Sequence, residues 1–180
     1  MQICLSIVSH GQVDLVNRLL ESLNKFVVCE EHEVLIVITE NIPTREAYTC
    51  KFPIKKIFNL HQKGFGANHN AAFEGADPDF FLVINPDIIF HRVFNLDQLI
   101  NRMLALKVDL TAPVVKDLMG KTVDYKRADL TLVNLIMRKL FNKNEKYFEW
   151  YAGMFLVFNG ICYRGVGGFD TRFFMYVEDC

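Results

Sequence analysis

An α/β domain with a mainly parallel sheet flanked by helices follows from three observations on this 180-residue chain. Short apolar runs rich in branched residues alternate with segments of helical periodicity, the pattern of βαβ units. The runs "ICLSIV", "EVLIVI" and "FFLVI" are apolar almost throughout, as strands covered on both faces must be. Polar residues cluster where those runs end, on the edge at which open α/β sheets bind ligands.

The elements follow in order. Ile3 to Val8 reads as a buried strand, stopped by Ser9-His10-Gly11. Leu15, Leu19, Leu20 and Leu23 recur at helical spacing and predict an amphipathic helix over residues 12–26. Glu33 to Ile38 is the second strand and Lys55 to Asn59 a short third. Phe65 to Gly75 reads as a helix opened by a glycine-rich turn, and Phe80 to Ile84 as a fourth strand. Leu96, Leu99, Ile100, Met103 and Leu104 form another helical stripe. Asp109 to Val115 is strand-like, followed by a hairpin turning at Met119-Gly120. Leu130 to Phe141 is a further helical candidate, and Phe148 to Phe158 a last strand-like stretch. With no repeat, linker or low-complexity tract, residues 1–180 form one domain, with a first part over roughly 1–115 and a second from roughly 116.

Composition removes several function classes. A net charge of −1 gives no basic face for nucleic acid. Five scattered cysteines, odd in number and without CxxC spacing, argue against a disulfide framework or a zinc site and favour a reduced, cytoplasmic setting. No apolar run is long enough to span a bilayer. The apolar share of 51% has two readings, a buried parallel sheet or an exposed apolar surface, and the first is preferred because large exposed patches are uncommon. Arg138, Lys139, Lys143 and Lys146 interleave with Leu135, Ile136, Leu140 and Phe141. That stretch reads first as a half-buried helix with solvated charges; peripheral contact with an anionic membrane face is the alternative.

Four strand ends carry the candidate chemistry: Ser9-His10-Gly11, Glu40-Asn41, His61 to Gly66, and Asn85-Pro86-Asp87. Taken singly each is an ordinary turn; on one edge of a parallel sheet they line one crevice. "KGFGANHN" (Lys63 to Asn70) has two of the glycines of a dinucleotide fingerprint but lacks the third and follows the third strand, which disfavours an NAD-type oxidoreductase. Glu178-Asp179 forms an acidic pair after the glycine-rich "GVGGFDTRFFMYV".

"GFGANHNAA", "FFLVINPD" and "GGFDTRFF" with its following "ED" resemble segments of the family-2 glycosyltransferases, particularly the rhamnosyltransferase-like branch, and the likeness runs over nearly the whole chain. It implies a GT-A fold with a Rossmann-like sheet, and an inverting transfer from a nucleoside-diphosphate sugar, dTDP-rhamnose or a UDP-sugar, to a saccharide or lipid-linked saccharide hydroxyl in surface polysaccharide synthesis. It places Ser9, Glu40, Gly64, Gly66, His69, Asn70 and Asn85 around the nucleotide, with Gly66 allowing close backbone approach and His69 or Asn70 donating to phosphate or ribose. Asp87 becomes the ligand of a divalent Mg or Mn, in an Asn-Pro-Asp where most of the family has Asp-x-Asp. Asp179 becomes the catalytic base, with Glu178 the near alternative. Glu40 stands where the family usually has Asp, and Thr171 where it usually has Glu. Family members continue beyond the "ED" pair, so the resemblance implies a chain truncated at its C-terminus, and a catalytically incomplete nucleotide-sugar-binding module is the alternative function.

Overall fold

The computed structural model describes residues 1–117, 119–123, 126–127, 150–151 and 153–174. The helical candidate at 130–141, the basic stretch within 138–146 and the acidic pair at 178–179 lie outside the described residues.

The main sheet forms from β1 (Gln2–Ser9), β3 (Glu33–Glu40), β4 (Ile54–Phe58), β5 (Phe80–Ile84), β7 (Leu110–Thr111) and β10 (Phe155–Asn159). Its order is β4-β3-β1-β5-β10-β7. The first four are mutually parallel, and β10 runs antiparallel to both β5 and β7. Two-residue pairs complete the strands: β2 (Val27–Val28) with β6 (Phe94–Asn95), and β8 (Lys126–Arg127) with β9 (Trp150–Tyr151). The helices are α1 (Val13–Phe26), α2 (Phe65–Ala76), α3 (Leu96–Leu106) and a short α4 (Gly160–Gly165).

Side-chain alternation divides the core. Ile3, Leu5 and Ile7 of β1 and Phe80, Leu82 and Ile84 of β5 face α1 and α3, meeting Leu19, Leu20, Leu23 and Ile100. Cys4, Phe81 and Val83 face the other way, onto Ala72 and Phe73 of α2, Tyr163 of α4, and Phe169. Each leucine buried by α1 contributes about 2 kcal/mol relative to an exposed one. α1 ends where Val27 takes up extended geometry and begins β2. α3 opens on Asn95, whose side chain accepts from the Gln98 N–H, and closes on Lys107 at φ 52°.

The strands and helices expected up to Leu106 are present within a residue or two of their predicted ends. Beyond it the sequence reading needs correction. The strand expected from Asp109 to Val115 pairs only at Leu110–Thr111, since Pro113 has no N–H for a ladder. The hairpin near Met119-Gly120 narrows to one antiparallel bridge, Lys116 with Thr122, with Gly120 at φ 78°. The single strand-like stretch from Phe148 is split, β9 and β10 standing on either side of Gly153-Met154. α4 was not anticipated.

Candidate functional site

The chain winds outward from β1 through β3 to β4, then returns to add β5 on the other side of β1. The carboxyl ends of β1 and β5 therefore flank the switch point at which such sheets hold ligands. Ser9 ends β1 and Asn85-Pro86-Asp87 follows β5, so both expected loops stand at that point. A turn closed by the Ile88 N–H on the Asn85 carbonyl (3.1 Å) shapes the second loop, and the Asn85 N–H donates to Met154 O (3.0 Å) just before β10. The Asp87 side chain is exposed and has no hydrogen-bond or ion-pair partner among the described residues.

Glu40 is in register with Ser9, one strand over, and fully buried. Its carboxylate accepts from the Thr44 N–H (3.1 Å) and Thr44 Oγ1 (2.9 Å) and pairs with Lys56 Nζ at 3.1 Å. Burial alone would raise its pKa; the Thr44 donors and the Lys56 ammonium outweigh that and hold it below the usual carboxylate range. The Lys56 ammonium also sits 4.8 Å from the Tyr48 ring centre. Glu40 thus anchors the loop after its own strand. Beside it Ser9 Oγ, Thr39 Oγ1 and Tyr48 Oη are buried without a partner among the described residues.

Three asparagines hold the Lys63 loop. Asn41 grips the Lys63 backbone twice, donating to its carbonyl (2.9 Å) and accepting from its N–H (3.1 Å). Asn59 bridges Asn41 and Asn68, donating to the Oδ1 of each at 2.7 Å, and Asn68 donates to the same Lys63 carbonyl at 3.1 Å. Lys63 itself remains exposed at the opening of α2. This network follows from three strand-end and helix-start asparagines whose pairing the sequence does not disclose.

His69 and Asn70 are engaged by the chain's own groups. His69 is 1% exposed, ringed by Phe65, Phe81 and Phe169, with Nδ1 2.7 Å from Ser6 Oγ. Burial pushes its pKa down to about 3, so the ring is neutral. Asn70 reaches the C-terminal segment: Nδ2 donates to Phe169 O (2.8 Å), while Oδ1 accepts from the Phe169 N–H (2.9 Å) and from Tyr163 Oη (2.6 Å). Gly64 and Gly66 likewise lie against the chain itself. A Cβ on Gly66 would come 2.7 Å from Phe169 Cβ, and one on Gly64 2.8 Å from Phe174 Cα. The close approach these positions permit is to the chain's own "GGFDTRFF" segment.

That segment climbs α2 towards its opening turn, where the Phe65 N–H donates to Phe174 O at 3.0 Å. Gly168, at φ 75°, would carry a Cβ 2.5 Å from Asn70 Oδ1. Asp170 is held by Arg172, whose Nε lies 3.0 and 2.9 Å from its two oxygens. A cavity of about 140 Å³ opens between α2 and α4, lined by Asn70, Phe73, Glu74, Tyr163 and Arg164, away from the strand ends. Asn41 was expected at its strand end, while Tyr163, Asn59 and Asn68 were not singled out; for Tyr163 the only signal was an aromatic inside "GICYRG".

No protein-family profile matches the chain. The rhamnosyltransferase WbbL of Escherichia coli K12 is 26% identical over 201 aligned positions, taking in 96% of this chain and 72% of that protein. TarS of S. aureus, residues 1–349 in complex with UDP, superposes at a TM-score of 0.68 with 18% identity, over 99% of this chain and 53% of that one. The mannosyltransferase PcManGT from Pyrobaculum calidifontis, in complex with GDP-Man and Mn2+, gives 0.61 with 13% identity, over 94% of this chain and 47% of that one. The fold is accordingly the GT-A fold of the nucleotide-diphospho-sugar transferases. The chain spans about half the length of these solved chains. In sequence the chain is thus similar to a rhamnosyltransferase, and in fold to solved glycosyltransferases.

Proposed function

We propose that the chain carries the donor half of an inverting, metal-dependent glycosyltransferase that takes its sugar from a nucleoside-diphosphate sugar. The donor is dTDP-rhamnose or a UDP-sugar, and the acceptor a hydroxyl of a surface polysaccharide or lipid-linked saccharide. The observation that carries this reading is Asp87, an exposed carboxylate without a partner among the described residues, beside the switch point of a parallel sheet. The buried strand-end carboxylate on this edge, Glu40, is by contrast paired with Lys56.

Among the described residues no three His, Cys, Asp or Glu side chains gather into a metal site. A lone carboxylate fits a hard cation that draws its other oxygens from a diphosphate and water. Asp87 would hold it, with Asn85 alongside; a bound Mg or Mn would offset the charge of the departing diphosphate. Asp179, or Glu178 next to it, accepts the proton of the acceptor hydroxyl. That oxygen bonds to the anomeric carbon from the face opposite the diphosphate, and the bond to the diphosphate breaks with its electron pair leaving on phosphate oxygen.

The test is a melting-temperature panel with UDP, dTDP, GDP and NAD, each with and without Mn2+. A nucleoside diphosphate at about a hundred times its Kd should stabilise the fold by about 2.7 kcal/mol. Asp87→Ala should remove most of the metal-dependent part and leave the unliganded midpoint in place. Stabilisation by NAD alone defeats the reading. Sugar transfer to the natural acceptor then separates an enzyme from a binding module: Asp179→Asn should abolish transfer at nearly unchanged nucleotide affinity, and Glu178→Gln should cost less. The reverse order would make Glu178 the base.

A further inference from the structure

Two segments far apart in the chain, Lys63 to Asn70 and Gly167 to Phe174, are fitted to each other at three points. Near one end, Asn70 binds Phe169 through both its N–H and its carbonyl, completing the grip with the Tyr163 hydroxyl. In the middle, Gly66 lies against the Phe169 side chain. At the other end, the Phe65 amide takes the Phe174 carbonyl where Gly64 leaves room for the Phe174 backbone. The match is reciprocal, for a side chain at Gly168 would strike the Asn70 amide. Asn70 pairs with Phe169 as a neighbouring strand would, its carboxamide setting a donor and an acceptor side by side on a one-carbon stem.

The geometry of this match has a direction. α2 opens on the Lys63 loop at the sheet's carboxyl edge, and the acidic pair begins four residues beyond Phe174. We propose that Asn70 is a positioning residue that locks the 167–174 segment to α2, so that the Lys63 loop and residues 167–174 move as one body. The inference rests on the donor reading above. It assigns Asn70 no contact with the donor; its effect is transmitted through Phe169 and Phe174. Ordering of the Lys63 loop by a nucleotide is then felt at Phe169, and loosening of Phe169 at the loop.

Amide hydrogen exchange on the 180-residue chain tests this, using whichever of UDP, dTDP or GDP with Mn2+ raises the melting temperature. In the unliganded wild type, residues 167–174 should exchange slowly, and Asn70→Ala should speed them about tenfold while β1 and β3 stay protected. Nucleotide should slow exchange at 167–174 in the wild type, and Asn70→Ala should lose that response with an affinity within about twofold of wild type. A residue that only packs the fold would not link the nucleotide to Phe169. If Asn70→Ala does not fold, Tyr163→Phe, which deletes one donor to Oδ1, should show the same loss in part. Nucleotide binding without any change at 167–174, a response surviving in Asn70→Ala, or a large loss of affinity in that variant would each overturn the inference and leave the donor reading standing. Absence of binding by all three nucleotides would remove the donor reading, and this inference with it.

Discussion

The two faces of the sheet are built from different material. Towards α1 and α3 the core is mainly aliphatic, with Ile3, Leu5 and Ile7 against Leu19, Leu20 and Leu23 beside a smaller group of Phe80, Phe90 and Phe155, and it is assembled mainly from residues within the first half of the chain. Towards α2 it is more aromatic and carries polar groups: Phe73, Phe81, Tyr163 and Phe169 pack there, and His69, ringed by Phe65, Phe81 and Phe169, is tied to Ser6. The first face is built mostly from the N-terminal half and takes Phe155 and Val157 from β10. The second is completed only when Tyr163 and Phe169 arrive from near the C-terminus. A fold can therefore divide its labour, with one face supplying stability and the other joining distant parts of a site.

Three measurements break or sharpen that contrast, in order of expected size. Leu19→Ala empties a fully buried position on the aliphatic face and should cost about 3 kcal/mol in denaturant unfolding, without altering the nucleotide response per folded molecule. A cost below about 1 kcal/mol would deny that face its stabilising role.

The aromatic face should respond to acid. His69 is neutral in the fold, with its pKa pushed down to about 3 by burial, against 6.5 when unfolded. Below pH 6.5 the unfolded chain binds a proton that the folded chain does not, so stability falls with falling pH and the loss levels off near pH 3. Between pH 8 and pH 5 the loss from this ring alone should be about 2 kcal/mol. His69→Gln should flatten that part of the profile; an unchanged slope would mean the ring is not buried neutral.

The smallest effect belongs to Arg172. Its fork on Asp170 is well formed, yet Arg172 is exposed and water screens the pair. Arg172→Ala should leave the unfolding midpoint where it is in thermal denaturation. A clear drop would show that the 167–174 segment is held by this ion pair more than by Asn70.

The aliphatic face was legible in the sequence because its contacts are periodic. Leu19, Leu20 and Leu23 announce a helix, and β5 starts and stops where its apolar run does. The strand-end loops were legible for a topological reason, since parallel strands bring their ends to one edge. His69 was not, because α2 has small or apolar residues on several sides and its spacing does not say which side meets the sheet. Asn70 was legible as a polar residue in a familiar motif, but its partner lies 99 residues away, and no local rule reaches that far. β7 was over-read because "DLTAPVV" has strand composition, whereas the ladder needs a partner as well as a preference.

The reversed strand β10 also fixes an order of assembly. β5 gains its second neighbour only from Phe155–Asn159, and β7 gains its only neighbour among the described strands from the same five residues. During synthesis from the N-terminus, the parallel quartet can form while β5 still presents an unpaired edge of Phe, Leu, Val and Ile. That edge is a template for pairing with another chain until β10 emerges and covers it. Nascent chains stalled before Phe155 should therefore depend on chaperones far more than chains released after Asn159.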